Sequence, residues 1–119
     1  MGRRVKRGDI WTASGGPDYT GKPRPVVIVQ DNRFIETDSI TICPFTTDAT
    51  TAPIFRLPVE PNERNGFREL SRLMVDKITT VPKTKLGNRI GRLDDDDMVK
   101  LNGAVLVFLG LTTHPTNDI

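Results

Sequence analysis

An unbroken run of mostly β-branched residues at 24–30 (RPVVIVQ) constrains the fold of this chain more than any other segment. The run lacks the polar alternation of a half-exposed strand, which is typical of a strand buried on both faces. Such a strand needs other elements packed on each side of it. The chain has 119 residues, enough for one domain with its own core.

Further apolar segments predict more strands, and Gly- and Pro-rich loops separate them. These strands are predicted at residues 8–13 (GDIWTA), 40–45 (ITICPF), 54–59 (IFRLPV), 71–81 (SRLMVDKITTV) and 89–93 (RIGRL). Residues 14–23 (SGGPDYTGKP) and 61–66 are predicted loops. Trp11 lies in an apolar strand, which favours a place in the core or in a dimer contact.

One amphipathic helix is predicted near the C-terminus. Its apolar residues recur at helical spacing: Met98, Leu101, Val105 and Phe108, with Ala104 and Leu109 beside them. Asp94 or Asp95 can cap its start, and Gly110 can end it. Short strands followed by a terminal helix predict a mostly β domain, a strongly bent sheet or barrel with the helix packed on it. The polar residues 112–119 are expected to be a frayed tail.

The composition of the chain excludes several kinds of functional site. Cys43 is the only cysteine, which excludes an intrachain disulfide and a cysteine zinc cluster and fits a reducing cytoplasm. No apolar stretch approaches the ~20 residues that span a bilayer, so no membrane association is expected. The aspartates at 94–97 are neighbours on a helix and cannot converge on one ion, so neither a metal nor another cofactor is expected. The net charge of +2 permits an anionic partner.

Three ordered motifs resemble the MazF/PemK toxin family. The first is GDIW with a Gly-rich loop and KPRPVVIVQ, the second is ITICPFTTD, and the third is LSRLMVDKITTVPKTKLGNRIGRL before a helix ending FLGL. Together they span residues 8–111. The resemblance implies a single domain over 1–119, a small SH3-like β-barrel with a C-terminal helix, paired as a homodimer.

The same resemblance implies a function and partners. It implies the toxin of a type II toxin–antitoxin system, a cytoplasmic endoribonuclease that cleaves single-stranded RNA sequence-specifically and without a metal. It also implies a cognate antitoxin whose disordered, acidic segment lies in the RNA groove.

The resemblance also carries over individual residues. Arg24 matches the catalytic arginine of an RP dipeptide, and Thr46 matches the catalytic threonine after the third strand, with Thr47 beside it. Asp76 matches an acidic residue that binds the substrate in some members. Some members have an arginine two residues before that acid. Met74 stands there in this chain, and the nearest arginine is Arg72, which is therefore a weaker candidate.

The chemistry of RNA cleavage without a metal supports this reading. The 2′-hydroxyl of the substrate attacks, and the enzyme must handle protons and stabilise charge on the phosphorane. A two-histidine site is excluded because His114, in the tail, is the only histidine. Arg24 and Thr46 could both donate hydrogen bonds to the phosphate. Their alternative readings are a charged strand-edge residue and a turn residue that bonds its own backbone.

Other side chains are candidates for substrate contact. Lys22 lies beside Arg24 and would help a groove to attract anions. Tyr19 and Phe45 could stack on splayed bases, although Phe45 fits the core equally well. Two other functions remain open, namely a non-catalytic RNA-binding module and a gyrase inhibitor resembling CcdB, which uses a similar barrel. An Arg24–Thr46 pair in a groove favours the nuclease over both.

Overall fold

The computed structural model describes residues 4–14, 22–49 and 55–112. In these ranges one antiparallel sheet of seven strands is followed by one α-helix. The strands are β1 (Asp9–Ala13), β2 (Arg24–Ile28), β3 (Ser39–Thr46), β4 (Arg56–Val59), β5 (Ser71–Met74), β6 (Thr79–Pro82) and β7 (Leu86–Arg92). The helix α1 is Asp95–Phe108. The predicted mostly β domain with a C-terminal helix is confirmed.

Strand β2 is buried on both faces, as its sequence predicts. Val27 belongs to the core beneath α1, together with Phe45 and Leu101. Val26 and Ile28 point to the opposite side and belong to a second core. The second core also contains Val5, Trp11, Ala13, Ile40, Ile42 and Leu86. Trp11 is 5% exposed, so it is a core residue of this chain.

Strand β3 links most of the sheet because it has partners on both edges. Its residues 42–44 pair with β2 on one edge. On the other edge its first half pairs with β6 and its last two residues pair with β5. The strand therefore leaves one partner and joins another along its length, which bends the sheet.

The prediction of one continuous strand over residues 71–81 is wrong. A 3₁₀ turn, Val75–Lys77, separates β5 from β6 at the place where β3 changes partner. Val75 is buried there, and its N–H donates to the carbonyl of Phe55 at 2.9 Å. Tertiary packing of Val75 thus overrides the β propensity of the segment. The last strand, β7, also starts three residues earlier than predicted, at Leu86 rather than Arg89.

The strands at the two edges of the sheet are β4 and β7. The loop between β4 and β5 connects these two edges. The Arg92 N–H in β7 donates to the carbonyl of Arg64 in this loop at 2.9 Å. Asn65 is fully buried, and its side chain bonds Asn62, Phe67 and the carbonyl of Glu60. The loop approaches β7 so closely that a Cβ on Gly91 would lie 2.5 Å from the Asn65 carbonyl oxygen. The sheet therefore closes on itself through this loop, as in a barrel.

Helix α1 packs most closely through its first half. Met98 and Leu101 are buried, and Val105 is partly buried. Phe108 and Leu109 were expected on the packed face, but they are 44% and 57% exposed. The last turn of the helix is therefore only partly covered by the core. None of the helices in the described ranges is long and apolar enough to cross a membrane.

The ends of α1 differ in how well the sequence predicted them. Asp94 occupies the capping position, but its side chain makes no cap hydrogen bond. Its carboxylate instead accepts from the Asn62 amide at 2.9 Å and lies 3.8 Å from the Arg64 guanidinium, which ties the helix start to the closing loop. Gly110 has φ +69°, and Leu111 N–H returns to the Leu106 carbonyl, so the predicted glycine stop is confirmed.

Candidate active site

A pocket of about 360 Å³ lies where β2 and β4 begin and β3 ends. Polar and charged side chains line most of it: Arg24, Thr46, Asp48, Arg56, Lys77 and Thr79, with Pro44 and Met74 between them. Three of the polar residues are cationic and one is anionic. The pocket therefore suits a ligand that carries negative charge.

Arg24 and Thr46 reach this pocket because of the β2–β3 register. Val26 pairs with Pro44, so Arg24 lies two residues before one partner and Thr46 two residues after the other. Side chains two residues apart on a strand share a face. Both residues consequently stand on the same side of the sheet, at the open end of the ladder. The structure therefore places Arg24 and Thr46 in the lining of one pocket.

The hydrogen bond of Thr46 is that of a turn residue, and its geometry leaves the catalytic interpretation open. Its Oγ1 accepts a hydrogen bond from the Asp48 N–H at 3.1 Å, which is the contact expected of a turn residue. A hydroxyl that accepts one bond can still donate its proton. The Asp48 N–H therefore fixes the oxygen while the Thr46 proton stays available to an acceptor in the pocket.

The other candidates near Thr46 have different surroundings. Thr47 is exposed and does not line the pocket. Arg72 is the β5 partner of Thr46, and its Nη1 donates to the Asp48 carbonyl at 3.4 Å. Arg72 is therefore placed to support the turn after β3.

Asp76 forms an ion pair with a residue that the sequence did not single out. Arg56 donates from Nε to Oδ1 at 2.8 Å and from Nη2 to Oδ2 at 3.0 Å. The two side chains are 16% and 21% exposed. The hydrogen bonds from Arg56 lower the pKa of Asp76, and the same bonds raise the pKa of Arg56. Both partners therefore stay charged at neutral pH.

Arg56 could have been noticed from its context. It is the one cation in the apolar segment IFRLPV, which the sequence assigns to a strand. A charged side chain inside such a segment needs a partner or a function. The partner lies 20 residues away, beyond the closing loop, so the sequence alone could not identify it.

The remaining candidates do not join the pocket in the described part of the chain. Lys22 is exposed just before β2 and does not line it. Phe45 is 2% exposed and packs edge-on against Phe67, with ring centroids 4.7 Å apart. Its faces are covered, so the base-stacking interpretation of Phe45 is replaced by the core interpretation. Tyr19 and His114 lie outside the described residues.

Within residues 4–14, 22–49 and 55–112, no three His, Cys, Asp or Glu side chains come together as a metal site. Asp94 is engaged with Asn62, and burial raises the pKa of Asp97. The aspartates at 94–97 therefore belong to the start of α1 and not to a metal site within the described ranges.

Known proteins similar to this chain show which family it belongs to. The family model of PemK-like, MazF-like toxins of type II toxin–antitoxin systems matches residues 6–109. A probable endoribonuclease MazF of Mycolicibacterium smegmatis is 52% identical over 107 residues, covering 90% of this chain and 98% of that protein. The endoribonuclease EndoA of Bacillus subtilis is 33% identical over 118 residues, covering 90% and 96%.

Solved structures of other proteins have a fold similar to that of this chain. A mycobacterial endoribonuclease in complex with its cognate antitoxin superposes with a TM-score of 0.74 at 25% identity, covering 93% of this chain and all of that chain. The Mycobacterium tuberculosis toxin MazF-mt6 superposes with a TM-score of 0.74 at 26% identity, covering 88% and 99%. Sequence motifs, fold and relatives thus agree, and the chain belongs to the PemK-like, MazF-like toxins of type II toxin–antitoxin systems.

Proposed function

We propose that this chain is the toxin of its pair and cleaves single-stranded RNA in the cytoplasm, with Arg24 and Thr46 acting on the scissile phosphate. The observation that carries this proposal is the convergence of these two side chains in one cationic pocket. Two relatives that match nearly their whole length are named endoribonucleases, which supports the reaction class. An inhibitor of gyrase or a plain RNA-binding module would not need such a pair.

The proposed reaction uses the RNA itself as nucleophile. The 2′-oxygen forms a bond to the neighbouring phosphorus while the bond from phosphorus to the 5′-oxygen breaks. The 2′-hydroxyl loses a proton, and the leaving 5′-oxygen gains one. Arg24 offers several donors to the phosphorane oxygens, and Thr46 offers its hydroxyl proton. Such donors accelerate the reaction because charge on these oxygens increases in the transition state.

Cleavage should persist in excess EDTA. Purified protein is incubated with a long single-stranded RNA, and the new ends are mapped. We expect a 2′,3′-cyclic phosphate on one fragment and a 5′-hydroxyl on the other, because the 2′-oxygen stays bonded to phosphorus. An Arg24→Ala preparation purified in parallel controls for contaminating nucleases. Loss of cutting on chelation that magnesium restores would contradict the metal-free reaction.

The antitoxin partner is part of the same proposal. A mycobacterial relative of this fold has been solved with its cognate antitoxin bound. Arg24 and Lys77 at the pocket would attract an acidic segment of such a partner. Occupation of the pocket by that segment would exclude RNA.

A homodimer is expected because α1 leaves an apolar surface uncovered. Its last two turns and the residues after them expose Leu106, Val107, Phe108, Leu109 and Leu111. A mostly apolar groove of about 530 Å³ runs beside them and is lined by Val29, Ile78 and Val105 among others. A surface of this kind on a soluble domain marks an interface. Light scattering at micromolar concentration should give twice the chain mass of 13.3 kDa.

A variant pair tests which surface makes the dimer. Leu106→Glu places a charge on the exposed apolar face and should shift the mass towards that of a single chain. Lys85→Glu adds a glutamate at an exposed position just before β7, outside the groove, and should leave the dimer intact. A single-chain mass for the unchanged protein would refute the expectation.

A further inference from the structure

Arg56 lines the candidate active site together with Arg24 and Thr46, yet no motif of the sequence assigns it a role. Its side chain is only 16% exposed, although it belongs to the pocket wall. Two hydrogen bonds to Asp76, of 2.8 and 3.0 Å, hold the guanidinium in one orientation. A long flexible side chain is thereby converted into a fixed, planar donor group.

The two bonds to Asp76 determine which donors remain. They use Nε and one hydrogen of Nη2, which form one edge of the guanidinium. The other edge consists of Nη1 and the second hydrogen of Nη2. These two N–H groups are parallel, and their spacing matches two adjacent acceptor atoms in one plane.

The charge of the pair favours a base over a phosphate as the ligand of this edge. Asp76 neutralises Arg56 at close range, so the pair as a whole attracts an anion weakly. Arg24 and Lys77 line the same pocket and suit the phosphate backbone. The remaining N–H groups of Arg56 point in a fixed direction, and donors of fixed direction recognise the edges of bases.

We propose that Arg56 is a specificity-determining residue that binds a base with two adjacent acceptors, and that Asp76 is its positioning residue. This inference rests on the proposed RNA cleavage and gives its pocket a sequence preference. Guanine offers O6 and N7. Cytosine offers N3 and O2. Adenine and uracil alternate donors with acceptors along their edges, so one donor of the Arg56 edge would meet no acceptor. Cytosine or guanine is therefore selected at one position of the RNA.

The test compares base preference in Arg56→Lys and in the unchanged protein. Lysine keeps the positive charge but loses the planar pair of donors. Ends from a long RNA are sequenced to locate the preferred bases. Binding is then measured to short RNAs in which each position is varied and the nucleotide before the scissile phosphate carries deoxyribose. We expect one position that favours cytosine or guanine, and a loss of about 10- to 100-fold in that preference in Arg56→Lys.

Two further variants separate recognition from folding. The double variant Arg56→Gln with Asp76→Asn replaces the ion pair by neutral side chains and leaves no unpaired charge in the pocket wall. It should lose the same preference. Arg33→Lys is the matched control, because Arg33 forms a similar two-bond pair with Asp31, at 3.1 and 3.2 Å, outside the pocket. Its preference should equal that of the unchanged protein.

Three results would overturn the assignment. The first is an unchanged preference in both Arg56 variants. The second is an equal loss of affinity for every sequence together with a smaller salt dependence, which would indicate a phosphate contact. The third is an unchanged protein that cuts RNA without favouring cytosine or guanine anywhere. If the protein binds with that preference but does not cut, the proposed cleavage fails and the role of Arg56 stands.

Discussion

A single deoxyribose before the scissile phosphate should stop cleavage of that bond while the RNA still binds. The 2′-oxygen is the proposed nucleophile, so its removal leaves nothing to attack the phosphorus. Binding should change little, because the phosphates and bases that the pocket contacts are unchanged. Cleavage is measured on an end-labelled oligonucleotide, and binding is measured by competition against the all-ribose strand.

The control is the same oligonucleotide with its deoxyribose moved one nucleotide further along. That strand keeps the nucleophile and should be cut at close to the normal rate. Cleavage of the first strand would show that a water molecule attacks. Asp48 and Asp76, the carboxylates in and beside the pocket, would then be the candidates for a general base or a metal ligand.

Changing Arg24 to alanine should lower the cleavage rate at least roughly 1000-fold, because the variant loses donors to the charged phosphorane. Arg24 is exposed at the start of β2, away from both cores. Such surface substitutions change the free energy of unfolding by less than about 0.5 kcal/mol, so the melting temperature should stay within about 4 °C. Single-turnover cleavage and thermal unfolding measure the two effects separately.

Arg24→Lys is the informative companion. It keeps the charge but not the planar donors, and it should recover only part of the rate. Arg33→Ala, an arginine outside the pocket, should cut normally. A variant Arg24→Ala that cuts at the normal rate, or one that unfolds, would remove Arg24 from the proposed chemistry.

Local sequence patterns predicted most strands and the helix, but not which of these elements contact one another. The run at 24–30 predicted β2 and its two buried faces, because β-branched packing is a local property of that segment. The break at Val75–Lys77 was missed, because it depends on β3 changing partner and on the contact between Val75 and Phe55. Strand partners far apart in the chain leave no local pattern.

In the candidate site, too, the sequence predicted individual residues but not the contacts between distant segments. The family motif predicted Arg24 and Thr46, and the strand register brings both to one pocket. Asp76 was expected to touch the substrate, but both of its oxygens accept from Arg56. The pair was not predictable from sequence, because β4 and the turn after β5 come together only through the closing loop and the bend of β3. The exposed end of α1 was likewise missed, since helical spacing shows which face is apolar and not how far the core extends.

The burial of Cys43 at the centre of β3 turns the only thiol of the chain into a reporter of sheet opening. The side chain is fully buried, and burial together with the nearby charge of Asp76 raises its pKa to about 12. At neutral pH the thiol is therefore both protonated and shielded from alkylating reagents. Labelling requires β3 to separate from its neighbours, so its rate counts these openings. Because the same strand ends in Thr46, slower labelling with RNA or antitoxin bound would reveal how firmly each ligand holds β3 in place.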